Sequence, residues 1–325
     1  MAAGFPSRAG RMVLDRALAL LLVVALGFLL PRFMPGDPVE LQRASDLDLG
    51  LAAAQRETLR QVMGLGGSLG EQFLTYCAAL LSGDLGFSVA HAAPVSQVVA
   101  GALAWTSLLV LLAFPIYLLI GPWLGIESGL APERPLGRGL LVGLSALGSV
   151  PPYAVSILLL WLLAVAVPLF PLGGAEALLP PADPLVRIAG VLHHAALPAL
   201  ALATHEIVRF FFLSRGATLA LSLRPFVINA RARGIAGWRL RVTYLARSLA
   251  PVLAGRLGDT LAGQFSVVLF VEIVFSYPGI GLVIHEAIRA RDLALLQGAV
   301  ICLAAAILVL NALLDGLAGR LARRG

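Results

Sequence analysis

Lysine is missing from this sequence of 325 residues, so all 24 of its basic residues are arginine. An ATPase of the G-x-x-x-x-G-K-[ST] type holds nucleotide phosphates with a lysine, which this chain cannot supply. Cysteine is nearly absent too, and its two copies, Cys77 and Cys302, form neither a disulfide framework nor a metal-ligand spacing. These absences exclude an ordinary P-loop ATPase and leave the cysteines as small packing residues.

Charged residues are also scarce, at 13% of the chain, whereas hydrophobic residues reach 59% and the mean hydropathy is +0.91. A soluble domain carries about 25% charged residues and could not cover so much apolar surface. The net charge of +6 does not indicate nucleic-acid binding, because the arginines fall between apolar stretches without interleaved aromatic residues. We therefore interpret the chain as an integral membrane protein.

Six apolar stretches are long enough to cross a bilayer, for which a helix needs about 20 residues. They cover residues 12–33, 98–126, 140–170, 193–213, 248–270 and 293–317. Pro115 and Pro122 in the second stretch, and Pro151 with Pro152 in the third, mark places where these long helices can kink. The sequence therefore predicts an all-α polytopic membrane protein with six transmembrane helices, the first a retained anchor rather than a cleaved signal peptide.

The distribution of arginine predicts the orientation of these helices. Most arginines fall in the N-terminal segment, in the loop after the second stretch, in the loop 214–247 and in the C-terminal tail. The loop 214–247 contains no acidic residue at all. Because cytoplasmic loops carry the excess of basic residues, both termini are predicted to be cytoplasmic, which agrees with an even number of spans.

This topology divides the chain into three parts. Residues 1–34 hold the N-terminus and the first transmembrane helix, residues 35–95 form an extracytoplasmic cap, and residues 96–325 form a core with five transmembrane helices and the arginine-rich loop. After a Pro-Gly-Asp-Pro turn, the cap contains two short predicted helices, at 51–63 and 71–81, each ended by glycine. The cap has few large apolar residues, so we do not expect it to fold alone.

A search for catalytic motifs finds only near misses. His205-Glu206 and His285-Glu286 begin stretches like the H-E-x-x-H zinc motif, but both have arginine where the second histidine must bind the metal. The G-x-S-x-G motif of serine hydrolases is absent. The sequence therefore gives no support for catalysis by this chain, and no metal site or bound cofactor is predicted for it.

Several ionisable residues lie inside or beside the predicted transmembrane helices, where buried charge is costly. They are His205, Glu206, Arg209, Arg256, Asp259 and Glu272. Glu206 with Arg209, and Arg256 with Asp259, are spaced to form ion pairs within one helix. Two interpretations stay open: the pairs neutralise one another near helix ends, or these residues line a polar translocation path.

The loop 214–247 contains a short predicted helix outside the membrane. Pro225 is suited to its first position, and Gly234 and Gly237 to its end. Ala230, Ala232 and Gly234 are small enough for the backbone of another protein to approach closely. The alternative is an interfacial helix whose arginines bind anionic lipid headgroups.

Six segments, in order along the chain, resemble the inner-membrane permease subunits of bacterial ABC importers, specifically the dipeptide/oligopeptide/nickel branch. They are Met34–Pro38, Ser82–Ser88 with Pro94 and Val95, Leu197–Ala203, Ala230–Gly234 with Pro251, Val271–Gly281, and Asn311 with Asp315. The match runs nearly from end to end. It implies the type I ABC importer permease fold in the bacterial inner membrane.

In this family the cytoplasmic EAA loop docks into a cleft of the ATPase. The resemblance therefore assigns contact with the ATPase to Asn229, Ala230, Arg231, Ala232, Arg233, Gly234, Ile235 and Pro251. The acidic residue that names the loop is absent, since Ile228 stands six positions before Gly234. The implied partners are a second permease, two cytoplasmic ATPase subunits that bind ATP and Mg, and an extracytoplasmic solute-binding protein.

The resemblance implies a transport subunit rather than an enzyme, one that forms half of a pore working by alternating access. Peptides are the expected substrate because they are the most frequent substrate in this branch, and nickel or metal chelates are the alternative. A membrane scaffold or an intramembrane enzyme is the competing class. An importer subunit should be inactive without its ATPase, whereas an enzyme should act alone.

Overall fold

The computed structural model describes residues 8–33 and 68–322, and helices dominate this part of the chain. In chain order the elements are helices α1 (Arg8–Phe33) and α2 (Leu69–Leu81), strands β1 (Phe87–Ser88) and β2 (Ala93–Pro94), and helices α3 (Val95–Leu130), α4 (Pro135–Ser149), α5 (Pro152–Leu160), α6 (Pro184–Ser222), α7 (Pro225–Ala232), α8 (Gly237–Arg239), α9 (Arg247–Val274), α10 (Ile280–Ala290) and α11 (Leu293–Ala322). Two π-helical segments, Trp161–Ala166 and Leu240–Ala246, continue α5 and α8.

The described residues form two compact units. One unit takes the described part of Met1–Leu103 together with Leu282–Val309, and the other takes Ala104–Gly281 and the described part of Leu310–Gly325. Helix α3 begins in the first unit and continues in the second. All of the sequence-predicted site residues belong to the second unit.

In the first unit, the short hairpin of β1 and β2 is tied to the start of α11. The buried Asp292 accepts hydrogen bonds from the Ser88 hydroxyl (2.7 Å) and from the Ala90 backbone N–H (3.1 Å). Its second carboxylate oxygen accepts the backbone N–H of Leu295, at 3.0 Å, and so caps the first turn of α11. A single carboxylate thus fixes both the hairpin and a helix end.

Helix α2 confirms the second helix predicted in the cap. Ser68 and Glu71 form a reciprocal capping box at its start, in which the Ser68 N–H donates to the Glu71 carboxylate at 2.8 Å. This backbone hydrogen bond lowers the pKa of Glu71 below its usual value. The first predicted cap helix, 51–63, and the turn that precedes it lie outside the described residues.

In the second unit, three glycines on one face of α3 bring its backbone against α6, and we call this contact the glycine seam. Gly121, Gly125 and Gly129 recur every fourth residue. A Cβ added to Gly125 would lie 2.6 Å from the Phe211 carbonyl oxygen, and one added to Gly121 would lie 2.8 Å from the Ile207 carbonyl oxygen. Only glycine permits this approach, which is typical of transmembrane helix pairs.

Three helices in the described residues are long and apolar enough to span a membrane: α3, α6 and α11. Two further pairs of helical segments, each bent sharply at a short break, raise the number of candidate spans to five if each pair is one span. Helix α1 contains a shorter apolar stretch, Arg16–Leu29. Helices α3 and α6 extend beyond the predicted spans at both ends.

The helices bend at only some of the positions that the sequence indicated. Helix α3 runs through Pro115 and Pro122 without interruption, whereas Pro135–Ser149 and Pro152–Ala166 meet at 103°. Because two successive prolines offer no backbone N–H to the preceding turn, the helix stops there. The third predicted span is thus a broken pair and not one kinked helix. The fifth is bent by 68° between Gly237–Gly258 and Gly263–Val274.

Candidate functional site

Helix α7 confirms the short helix predicted in the loop between the fourth and fifth spans. Pro225 occupies its first turn, where the missing backbone N–H has no helical partner to lose. Beyond its end, Gly234 and Gly237 have φ of +77° and +60°, a left-handed conformation that favours glycine. The Gly234 N–H donates to the Arg231 carbonyl at 2.9 Å, which closes the helix.

One face of α7 is buried within the chain. Val227 and Ala230, three positions apart, are 0% and 3% exposed and pack with Leu240, Leu245 and Ile126. This burial corrects one expectation: Ala230 was assigned to the surface that another protein approaches, but it faces the interior. The small side chain of Ala230 lets α7 pack closely against the π-helical segment 240–246 and the end of α3.

The other face of α7 is exposed and carries most of the residues that the sequence assigned to ATPase contact. The exposed members of that set are Asn229, Arg231, Ala232, Arg233 and Gly234. Phe226 and Ile228, which the assignment did not include, are also exposed and give this face an apolar component. Ile235 is half-buried, and Pro251 lies inside α9, outside the α7 helix.

Two side-chain pairs join the end of α3 to the chain that follows α7, and we call them together the α3 clamp. The Arg241 guanidinium donates to both carboxylate oxygens of Glu127, with an Nη2–Oε2 distance of 2.9 Å. The Trp123 and Trp238 rings contact each other with their centroids 5.1 Å apart. Both ion-pair partners are only about one-quarter exposed. Sequence reasoning missed this clamp because 114 residues separate Glu127 from Arg241.

The same end of α3 is also bonded to α4 and α6. The buried Ser128 hydroxyl accepts a hydrogen bond from Arg215 Nε, at 3.1 Å, and donates to the Gly137 carbonyl oxygen at 3.0 Å. One hydroxyl therefore connects three helices. With the α3 clamp, these contacts make the end of α3 a junction between α4, α6, α8 and the π-helical segment 240–246.

Helices α3, α6 and α9 contribute a group of polar side chains, which we call the polar cluster: Tyr117, Glu206, Arg209 and Arg256. Arg209 Nη1 and Glu206 Oε1 are 3.1 Å apart, which confirms the ion pair predicted within this helix. Arg256, from α9, lies close enough to interact electrostatically with the same carboxylate. Glu206 is buried, whereas the Arg209 side chain is 47% exposed.

Of the remaining predicted path residues, His205 lies at the polar cluster. His205 is half-buried on α6 beside the polar cluster, and the side chain of Asp259 lies outside the described part of the chain. Sequence reasoning missed Thr260 and Gln264, which follow Arg256 at intervals of four on α9 and are 1% exposed. The signal was available, because a polar residue every fourth position marks one face of an apolar helix.

Several buried polar atoms in and beside the polar cluster have no hydrogen-bond partner among the described residues. Among them are the Tyr117 hydroxyl and both polar atoms of the Gln264 amide. Buried polar atoms are nearly always hydrogen-bonded, so we expect water or another molecule to bind these atoms. Within residues 8–33 and 68–322, no three His, Cys, Asp or Glu side chains lie close enough together to hold a metal ion.

Glu272, the last of the predicted path residues, makes hydrogen bonds with residues outside the polar cluster, and its place in the translocation path stays a prediction. It is completely buried and accepts hydrogen bonds from the Thr106 hydroxyl and the Gly281 N–H, both at 2.6 Å. The Thr106 oxygen in turn accepts the Ile280 N–H at 2.9 Å. Any side chain at Gly279 would collide with the Glu272 carboxylate. Glu272 therefore fixes the start of α10 to α3, as a carboxylate at a helix N-terminus does.

Together these features define a polytopic membrane protein with a short helix held against its membrane-facing helices, exposed on one face. Comparison with known proteins specifies the class. Residues 118–324 match the family described as the binding-protein-dependent transport system inner membrane component. The chain belongs to this family, and it is a multi-pass protein of the inner membrane.

Curated relatives match along nearly the whole chain. A putative peptide transport system permease protein of Brucella abortus is 32% identical over 305 residues, 92% of this chain and 93% of the relative. An oligopeptide transport system permease protein of Bacillus subtilis is 28% identical over 304 residues, 91% and 92% of the two chains. A glutathione transport system permease protein of Pectobacterium atrosepticum is 28% identical over 304 residues, 91% of each chain. The resemblance drawn from the sequence motifs is confirmed.

Proposed function

We propose that this chain is the transmembrane permease subunit of an ATP-driven ABC importer and forms half of a pore for peptides or a related small solute. Helix α7 carries the proposal, because it is packed on one face against the spanning helices and exposed on the other. Such a helix is suited to receive a partner protein and to pass its movement into the membrane. The peptide, oligopeptide and glutathione permease names of the relatives support the substrate class.

The proposed topology has six transmembrane helices and both termini in the cytoplasm, with residues 35–95 as an extracytoplasmic cap and residues 96–325 as the permease core. This arrangement puts α7 and the arginine-rich loop on the ATPase side. The proposed partners are a second, related permease, two ATPase subunits that bind ATP and Mg, and an extracytoplasmic solute-binding protein. The chain itself has no lysine with which to hold nucleotide phosphates, so hydrolysis belongs to the ATPase subunits.

The proposed ATPase contact uses the exposed face of α7. Arg231 and Arg233 supply charge there, Ala232 and Gly234 permit close approach, and Phe226 adds apolar area. Ala230 and Ile235 support this face from behind. Alternating access needs two discrete arrangements of the helices, and a partner that binds one of them more tightly shifts the pore toward it.

The proposed path residues are His205, Glu206, Arg209, Arg256, Asp259 and Glu272. Arg209 supports this assignment, because its guanidinium is half exposed on an apolar helix, where contact with lipid would be costly. A water-filled path or a second permease resolves this cost. The unpartnered Gln264 amide beside the cluster also points to a hydrated wall.

Uptake in cells tests the proposal. In host cells that lack this chain, uptake of radiolabelled trialanine should fall, and the wild-type chain should restore it. Gentle solubilisation of the tagged chain, followed by mass spectrometry, should recover P-loop ATPases and a second permease. Normal trialanine uptake without the chain would overturn the peptide assignment, and recovery of the chain alone in several mild detergents would overturn the importer assignment.

A further inference from the structure

We propose that Glu127 and Arg241 are positioning residues that make α7 and α3 move as one piece, so that movement imposed on α7 reaches the polar cluster. The proposal rests on the proposed function for the source of that movement. The linkage itself rests on contacts within one compact unit, Ala104–Gly281. Nothing in the apolar packing of α7 alone demands a charged pair at this place.

The first step of the linkage is the attachment of α7. Its buried residues Val227 and Ala230 pack against Leu240 and Leu245, on the segment that carries Arg241. Arg241 holds this segment to Glu127 through two parallel hydrogen bonds, and a paired guanidinium and carboxylate fix orientation as well as distance. Apolar contacts alone permit sliding, whereas the two-point ion pair resists rotation of the segment about α3.

The second step runs along α3. From Glu127, the helix continues through the glycine seam to Tyr117, whose ring contacts Phe210 with centroids 5.4 Å apart. Phe210 neighbours Arg209 on α6, and Tyr117 lies within electrostatic reach of Glu206. Because close-packed helices switch between discrete arrangements and do not deform continuously, displacement of one end of α3 must alter this contact.

The position of the ion pair also argues for a role beyond stability. An exposed ion pair contributes little to folding, and this one is only partly buried. The chain offers a matched comparison in Arg138 and Glu133, a neighbouring pair whose side chains are 68% and 82% exposed. That pair joins the start of α4 to the turn before it and does not touch the segment after α7.

Three variants test the linkage: Glu127→Gln, the charge swap Glu127→Arg with Arg241→Glu, and the control Glu133→Gln. Each is expressed in cells that lack the chain, with uptake of radiolabelled trialanine normalised to the amount of chain in the membrane. Glu127→Gln should lower this normalised uptake about fivefold, the low end of typical coupling between sites. The swap should restore most of it, and Glu133→Gln should behave as wild type.

A second measurement tests the linkage independently of transport, and so also applies if trialanine is not a substrate. Amide hydrogen exchange over residues 225–232 of the full chain in detergent should become faster in Glu127→Gln and return toward wild type in the swap. Failure of the wild-type chain to support uptake would count against the proposed function alone. Wild-type exchange and uptake in Glu127→Gln, or a swap that restores neither, would overturn the linkage.

Discussion

At the residue scale, Glu272 is an anchor for the α9–α10 turn. Its two carboxylate oxygens are occupied by Thr106 and the Gly281 N–H, and Gly279 leaves room for it. A buried carboxylate is tolerated because donors on two sides compensate for its removal from water. These contacts give Glu272 a structural role, and its place in the translocation path stays a prediction.

We expect Glu272→Gln to lower the free energy of unfolding by about 1–3 kcal/mol, because an amide nitrogen cannot accept the second hydrogen bond. Thermal unfolding in detergent measures this change. Thr106→Val should destabilise similarly, and the double variant should lose less than the sum of the two, since both remove the same interaction. A Glu272→Gln chain that is as stable as wild type but transports a different range of solutes would show that Glu272 acts in the path and is not an anchor.

Gly234 gives a second prediction at this scale. With φ at +77°, valine in its place should cost about 1–2 kcal/mol of backbone strain and tilt the exposed end of α7. Replacing Gly234 by valine should therefore uncouple ATP hydrolysis from uptake, measured as labelled peptide transported per ATP. Gly216→Ala is the control, because Gly216 lies within α6 with open space where its Cβ would be. Normal uptake in Gly234→Val would contradict the coupling role of this turn.

At the element scale, the glycine seam decides how α3 and α6 pack. A leucine at Gly125 would drive its Cβ against the Phe211 carbonyl and the Ser214 side chain, both under 3 Å from the Cβ position. The helices must separate to accommodate it, and the seam loses the close contact that stabilises helix pairs in lipid.

Gly125→Leu should accordingly destabilise the chain by about 1–3 kcal/mol, as overpacking of a tight core does. Gly139→Leu is the matched control, since Gly139 also lies in an apolar helix but nothing is within 4 Å of its Cβ position. The midpoint of thermal unfolding in mild detergent compares the two. Equal midpoints would mean that the seam is not a tight contact.

What the sequence predicts well at this scale is local. Pro225 and Gly234 define α7 because they act through their own backbone, and apolar length defines α3, α6 and α11. The buried face of α7 could not be predicted, because it depends on Ile126, about a hundred residues earlier in the chain. The same holds for Glu272, whose partner Thr106 is 166 residues away. The 103° bend was foreseen as a kink only, since prolines indicate a break but not its angle.

At the scale of the whole molecule, arginine placement predicts the sides of the membrane. Single cysteines introduced into a chain without its two native cysteines test this prediction. Cysteine in place of the exposed Ile228 should react with a membrane-impermeant maleimide only from the cytoplasm, and cysteine in place of His91 only from outside. Labelling of the two positions from the same side, or with the sides exchanged, would contradict both the topology and the proposed ATPase face.

Helix α6 has 39 residues and is therefore about 58 Å long. It carries Glu206 and Arg209 within its length, and Arg215, bonded to Ser128, nearer its end. The glycine seam holds it between Ile207 and Thr218, beside Glu206 and Arg209, so these two residues lie where a tilt of α6 about the seam displaces the helix least. The arm from the seam back to Pro184 is about 35 Å long, so a tilt of about 5° moves that end by about 3 Å while the polar cluster keeps its place.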